Sequence, residues 1–363
     1  MRVGVLGGGQ LGRMLALAGY PLGLTFRFLD PSPEACAGQV GELRVGSFQD
    51  PQALEGFAQG LDLVTYEFEN VPVEAARFLA QRLPVYPPPK ALEVAQDRLA
   101  EKTFMRGLGV PTPPFQPVDT LEELEEALEG VGLPALLKTR RGGYDGKGQA
   151  LVRTPEEARE AFLALGGRGL LLEGFVPFDR EVSLLGVRGR EGEVAFYPLV
   201  ENRHQGGILR LSLAPAPGLS PGLQAKAEGY LGRALEALGY VGVLAVEFFQ
   251  VGEELLFNEM APRVHNSGHW TIEGAETSQF ENHLRALLGL PLGSTAPRGV
   301  SAMANLIGLK PDFARVLALP GAHLHWYGKA VRPGRKVGHI TLRREGWEAL
   351  EADLPRLLDL AEG

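Results

Sequence analysis

The stretch Val243–Glu259, VLAVEFFQVGEELLFNE, decides how this chain folds. Two apolar runs, Val243–Phe249 and Leu255–Glu259, flank Gly252-Glu253-Glu254, the pattern of a β-hairpin. A turn centred on Glu253 sets Glu247 directly opposite Glu259. Facing like charges destabilise a sheet unless something neutralises them. The apolar neighbours Val246, Phe248, Phe257 and Met260 argue against water alone. A divalent cation bridging the pair resolves the conflict, since Mg²⁺ commonly takes one or two carboxylates and completes its shell with substrate phosphates. A register one residue away would instead leave one glutamate solvated. Asn258 should point to the opposite face unless the strand is irregular there.

A second stretch offers the phosphate partner. Leu136–Thr139 and Ala150–Val152 read as strands, and RRGGYDGKGQ (Arg140–Gln149) joins them. Glycines around Tyr144, Asp145 and Lys147 make a flexible cationic loop, able to cover a polyphosphate with backbone donors and an ammonium. Lys138, at the end of the preceding strand, aims a further charge at the same space. Only eight of the 36 basic residues are lysines; two fall here beside Arg140 and Arg141, which weighs against a bare surface hairpin. The loop is not a P-loop, because G-x-x-x-x-G-K-[ST] is absent and a strand follows.

Outward from these, Arg2–Leu6 and Thr25–Leu29 read as strands, Leu11–Ala18 as a helix and Leu61–Phe68 as a later strand, implying a parallel sheet with crossover helices. Gly7, Gly9 and Gly12 fit G-x-G-x-x-G, with Asp30 ending the next strand. That turn suits a dinucleotide, the phosphate of another substrate, or no ligand at all. A nicotinamide-dependent dehydrogenase would rest on it alone and leaves the facing glutamates and the lysine loop unexplained. Helices are expected over Ala91–Leu108, Thr120–Leu128 (capped by Thr120), from Thr154-Pro155, over Gly222–Leu238 and over Trp347–Leu360; strands are expected over Leu170–Leu172, Arg180–Val187 and Val194–Pro198. Proline-rich breaks at Pro84–Pro89 and Pro291–Pro297 divide the chain into 1–90, 91–290 (with a smaller lid unit over about 110–175) and 291–363.

Two polar segments follow the hairpin. MAPRVHNSGHWT (Met260–Thr271) gathers Arg263, His265, Asn266, Ser267 and His269 in one turn-rich run, suited to a small anion beside a metal-bound phosphate. Zinc is disfavoured, with no H-E-x-x-H helix and no cysteine nearby. Lys329, Arg332, Arg335, Lys336 and His339 form the only dense basic cluster and read as a second anion site. The net charge of −8 disfavours a whole-chain nucleic-acid binder, and 45% hydrophobic with 22% charged residues excludes a disordered chain. No apolar run reaches the roughly 18 residues of a membrane span. The start MRVGVLGGGQLGRM reads as a strand entering a turn and not as a secretion signal. A single cysteine, Cys36, fits a reducing cytoplasm.

A glycine-rich lysine hairpin, an upstream strand lysine and two glutamates on late paired strands resemble the ATP-grasp superfamily. Within it, TYEFENVP (Thr65–Pro72), GGYDGKGQ (Gly142–Gln149), NEMAPRVHNSGHWT (Asn258–Thr271) and YGKAVRPGRKVGHI (Tyr327–Ile340), in that order, are similar to the 5-(carboxyamino)imidazole ribonucleotide synthase family. The resemblance implies an α/β, ATP-grasp fold: a Rossmann-like N-terminal domain, ATP-grasp domains and a small C-terminal segment. It implies that ATP, bicarbonate and 5-aminoimidazole ribonucleotide react through carboxyphosphate. Arg98, Lys138, Gly143, Tyr144, Asp145, Gly146, Lys147, Gly148 and Gln149 would grip ATP. Glu173, Gly174, Phe175, Val176, Glu181 and His204 would line adenine and ribose, and Glu247 and Glu259 would hold Mg²⁺ beside Asn258. Arg263, His265 and Asn266 would hold bicarbonate or carboxyphosphate. Tyr144 and Asp145 would reach the aminoimidazole, while Gly9, Gln10, Leu11, Lys329, Arg335 and Lys336 would bind the ribonucleotide phosphate. A homodimer acting on small molecules, without nucleic acid or membrane, completes the expectation. A formate-using ribonucleotide transformylase, a biotin carboxylase-like enzyme and a non-catalytic nucleotide-binding module are the alternatives.

Overall fold

A computed structural model describes residues 1–363. The chain builds three sheets in a mixed α/β arrangement. The first is parallel, with strands in the order Glu42–Val45, Thr25–Asp30, Arg2–Leu6 and Leu63–Tyr66. Its inner strands are buried on both faces, as crossover helices require. The second sheet is antiparallel, in the order Phe115–Val118, Leu170–Gly174, Ala135–Thr139 and Gln149–Val152, and carries the lysine loop between its last two strands.

The third sheet has nine strands. It runs Glu254–Ala261, Gly242–Val251, Arg180–Arg188, Val200–Gln205, Ile208–Ala214, Val300–Ile307, Lys336–Arg344 and Ala322–Trp326, with Val194–Phe196 pairing off Arg180–Arg188. The segment beyond the second proline-rich break therefore continues this sheet: Val300–Ile307 is hydrogen-bonded antiparallel to Ile208–Ala214. The ladder slips register at Arg203/His204, Glu247/Phe248 and Leu306/Ile307. Helix Pro221–Ala237 covers one face, burying Leu223, Leu231 and Leu235, each worth at most about 1.5–3 kcal/mol against exposure.

The expected helix over Ala91–Leu108 is two helices, Pro89–Ala95 and Arg98–Gly107. Asp97 causes the break, its Oδ1 accepting from the N–H groups of Leu99 (2.9 Å) and Ala100 (3.1 Å). That cap points Arg98, the first helical residue, toward the hairpin. Thr120 caps Leu121–Val131 as expected, while Glu123 reaches back to the N–H of Asp119. Strands Val200–Gln205 and Val300–Ile307 lay outside the sequence reading. The first, VENRHQ, has too few apolar residues to show alternation, and the second is buried on both faces and shows none.

Candidate active site

The hairpin does set Glu247 opposite Glu259, by an indirect route. Its turn is Gly252-Glu253, with Val251 facing Glu254 and Phe248 facing Phe257. Continued unchanged, that register would pair Glu247 with Asn258. A one-residue bulge at Asn258 shifts the ladder, so that Glu247 meets Glu259 and Val246 meets Met260. The carbonyl freed by the bulge accepts from the Lys102 ammonium at 2.7 Å. The Asn258 side chain lines the cavity, and its Oδ1 is buried without a partner.

Burial pushes the Glu247 carboxyl well above its usual range, and the Glu259 charge adds to this. Burial also opposes ionisation of Glu259, but the Glu247 hydrogen bond, Arg98 and Lys138 outweigh it and hold Glu259 low. The facing pair thus resists carrying two negative charges without a cation beside it. Two carboxylates and an unsatisfied amide oxygen form a hard-oxygen donor set that fits Mg²⁺. No group of three or more His, Cys, Asp or Glu side chains is arranged to hold a metal ion by itself, so such an ion would draw further ligands from substrate or water.

These groups open on a cavity of about 300 Å³. Among the expected residues it is lined by Gln10, Leu11, Arg98, Lys138, Gly143, Tyr144, Asp145, Gly146, Gln149, Glu181, His204, Arg263, His265, Asn266 and Lys336, as well as the hairpin residues. Arg98 Nη1 lies 3.3 Å from Glu259, and His204 Nδ1 lies 2.8 Å from Glu181. Asp145 has φ of 45°, a left-handed conformation that turns the loop tip, and its carboxylate meets Lys336 at 3.4 Å. Behind Arg263 a smaller cavity of about 70 Å³ is walled by Glu69, Arg98, Arg140, Glu259, Arg263 and His265.

Other expected residues stand back from this wall. Lys147 is exposed and donates to the Tyr144 hydroxyl at 3.2 Å, and the Gly148 carbonyl accepts from Thr139 N–H. Glu173 is buried (1% exposed), with Lys102 (3.1 Å) and Lys138 (3.2 Å) both on its Oε2 and its Oε1 without a partner, and it does not line the cavity. Burial opposes ionisation of Glu173, but the two lysines overcome it and lower its pKa. Lys138 is lowered by burial despite Glu173. The N–H groups of Gly174 and Phe175 are spent on Pro114 and Pro134, and Val176 accepts from Phe178.

At the glycine turn, donors already have internal partners. Gly8 N–H donates to Asp30 (2.8 Å) and Gly12 N–H to Glu67 (3.3 Å), while Gly9 also donates to Glu67. Gly9 itself does not line the cavity, whereas Gln10 and Leu11 do. Gln10 Oε1 accepts from Lys329 at 3.1 Å, joining the first and last segments of the chain. Burial lowers the Lys329 pKa, and neighbouring Arg335 lowers it further. Arg335 donates to the Ala330 carbonyl at 3.0 Å.

Sequence reasoning missed Glu69, which pairs with Arg263 at 2.5 Å, and Lys102. It missed Glu101, whose carboxylate accepts from Met260 N–H at 3.3 Å. The scarcity of lysines was a usable signal for Lys102. Asn266 and Asn305 exchange amide hydrogen bonds, tying the site to strand Val300–Ile307.

Family models match three successive stretches of the chain. A ribonucleotide synthetase preATP-grasp domain model matches residues 1–96, an ATP-grasp domain model 103–280, and a phosphoribosylaminoimidazole carboxylase C-terminal domain model 301–353. The N5-carboxyaminoimidazole ribonucleotide synthase of Pseudomonas aeruginosa is 56% identical over 362 residues, covering 100% of both chains. The crystal structure of N5-carboxyaminoimidazole ribonucleotide synthetase from Thermus thermophilus matches at 81% identity and a TM-score of 0.96, over 99% of this chain and 98% of that one. That of N5-carboxyaminoimidazole synthase from Aspergillus clavatus, in complex with ADP and 5-aminoimidazole ribonucleotide, matches at 34% identity and 0.92, over 99% and 98%. No helix is long and apolar enough to cross a membrane. Full-length identity of this order, on an ATP-grasp fold with the facing glutamates in place, makes the chain a member of the N5-carboxyaminoimidazole ribonucleotide synthase family.

Proposed function

We propose that this chain is an ATP-dependent carbon–nitrogen ligase. It carboxylates the exocyclic amine of 5-aminoimidazole ribonucleotide with bicarbonate, giving the N5-carboxy product, ADP and phosphate in purine biosynthesis. One observation carries the reading. The facing glutamates lie where a nucleotide-sized cavity meets a smaller one, lined by Arg98, Arg140 and Arg263 as well as by Glu69 and Glu101, with room for roughly two waters or one oxyanion.

Phosphoryl transfer needs positioning and charge neutralisation more than covalent chemistry. Arg98, Lys138 and the backbone donors of Gly143–Gln149 hold the ATP phosphates, with Lys147 at the loop tip, and Glu181 and His204 hold the ribose. Glu173 acts from behind, keeping Lys138 in place, and Gly174, Phe175 and Val176 edge the adenine site. When bound between Glu247 and Glu259 beside Asn258, Mg²⁺ supplies further neutralisation of phosphate oxygens. Arg263, oriented by Glu69, and His265 hold bicarbonate in the smaller cavity while an oxygen attacks the γ-phosphorus. Asn266 shapes that wall. The carboxyphosphate formed delivers its carbon to the amine, directly or as CO₂. Asp145 accepts from that amine and Tyr144 packs on the imidazole. Lys329, Arg335 and Lys336 take the ribonucleotide phosphate, with Gln10 and Leu11 beside it. Domain limits of 1–90, 91–290 and 291–363, a homodimeric state and a cytoplasmic location belong to the same reading; the buried free thiol of Cys36 suits a reducing compartment.

ADP release measured with each substrate omitted in turn tests the reaction. Turnover should require both bicarbonate and 5-aminoimidazole ribonucleotide. Turnover without the ribonucleotide, or with formate replacing bicarbonate, would overturn it.

A further inference from the structure

Behind His265 runs a line of buried polar side chains to which the scheme above gives no task. Ser183, Ser212 and Ser267 are 0% exposed and Asn202 is 4% exposed. Ser212 Oγ donates to Asn202 Oδ1 (2.8 Å), and Asn202 Nδ2 donates to Ser183 Oγ (2.8 Å). Ser183 Oγ donates to Ser267 Oγ (2.9 Å), and Ser267 Oγ lies 2.7 Å from His265 Nδ1. The ladder that pairs Asn202 with Ser212 sets the far end of this line.

The line has a direction. Each hydroxyl owns one proton, and the amide N–H of Asn202 commits those of Ser183 and Ser267 toward the ring. The backbone N–H of Ser267 also donates to Nδ1, at 3.2 Å, and a peptide N–H cannot reverse. The Nε2 side takes no protein partner, and the ring borders both cavities.

We propose that Asn202, Ser183 and Ser267 are positioning residues that hold His265 as the neutral imidazole protonated on Nε2, so that it offers a fixed N–H donor to the oxyanion beside Arg263. The role at the oxyanion rests on the function proposed above; the tautomer does not. An imidazolium would need an acceptor at Nδ1, where both neighbours are donors. Turning the hydroxyls round would drive a proton at the Asn202 amide nitrogen, which cannot accept one. The charged and titratable groups facing the ring are Arg263, Glu259, Glu69, Lys336 and His269. Burial, reinforced by Arg263, holds the His265 pKa down to about 3 against the two carboxylates. A donor of this kind stabilises charge developing on the carboxyphosphate oxygens and cannot serve as a base through Nε2.

Imidazole nitrogen–proton NMR on the full chain tests the tautomer, with His265 assigned by the signal lost in His265→Gln. The expected spectrum shows a neutral ring protonated on Nε2 from pH 6 to pH 9. A ring protonated on Nδ1, or a cation at neutral pH, overturns the proposal. Ser183→Ala should lower kcat for ADP formation about tenfold with the KM for ATP unchanged. Ser183→Thr, which restores the hydroxyl on a strand, should recover it. An unchanged kcat in Ser183→Ala, or equal losses in both variants, refutes the positioning role; Ser267→Ala gives the same reading if Ser183→Ala fails to fold. A wild-type protein with the expected spectrum but no carboxylation would sink the reaction and leave the tautomer standing.

Discussion

Replacing Lys102 with methionine keeps the side-chain length and removes one buried charge. The ammonium lies 2.7 Å from the Asn258 carbonyl and 3.1 Å from Glu173, and the side chain is 0% exposed. Losing a charge-assisted bond at the bulge costs about 1.5–3 kcal/mol. Breaking a buried ion pair adds up to ~3–5 kcal/mol, but Glu173 retains Lys138 at 3.2 Å, and repulsion between the two lysines is relieved. A net loss of about 3 kcal/mol is expected, measured as the free energy of urea unfolding. The kinetic effect is separate. Without its anchored carbonyl, the strand can relax to the register its turn sets, with Glu247 facing Asn258 and Glu259 turned to the other face. The variant should then need more Mg²⁺ for half-maximal ADP release and lose about a hundredfold in kcat, equivalent to about 2.7 kcal/mol. Reduced stability with an unchanged Mg²⁺ dependence would refute the link between Lys102 and the bulge.

Three further outcomes follow from the same geometry. Glu259→Gln should abolish ADP formation at limiting Mg²⁺, because a neutral amide is a poor ligand for that ion; wild-type turnover under those conditions would remove the paired-carboxylate argument. Lys329→Ala should raise the KM for the ribonucleotide at least tenfold more than that for ATP, and equal effects would place this lysine elsewhere. His283 is buried with its Nδ1 accepting from Val243 N–H at 3.0 Å, and burial lowers its pKa to about 3. A histidine kept neutral in the fold contributes stability above its unfolded pKa of about 6.5 and loses it as pH falls toward 3, at about 1.4 kcal/mol per unit. Urea unfolding should show stability falling between pH 7 and pH 5, by about 2 kcal/mol from this histidine, and His283→Gln should reduce that fall.

Much of the site was legible because its chemistry is carried by charged residues in short runs. The lysine loop, Arg263-Val264-His265-Asn266 and the last basic segment all reach one cavity, and each is contiguous in the chain. Glu247 and Glu259 were legible too, since hairpin pairing is local. The bulge that joins them was not: it depends on Lys102, a helix residue 156 positions from Asn258. The pairing of Glu173 with Lys102 and Lys138 was not legible, because strand position does not reveal which lysines lie beside it. The glycine turn hides its partners in a similar way. Its donors are satisfied by Asp30 and Glu67, contacts that arise only when three parallel strands are assembled.

The nine-stranded sheet also sets a length. Glu247 and Lys336 stand on strands five places apart in its order, roughly 24 Å across a flat sheet at about 4.8 Å per strand. Both nevertheless border a cavity of about 300 Å³, so the sheet must curl through most of that span. Register slips at Glu247/Phe248, Arg203/His204 and Leu306/Ile307 supply sharp local bends along the way. The curled sheet acts as a calliper whose jaws are the glutamate pair and the basic segment. Its opening is set by backbone hydrogen bonds and not by mobile loops. A change that flattens the bend at Leu306/Ile307 should therefore separate the substrates without touching a residue that binds either.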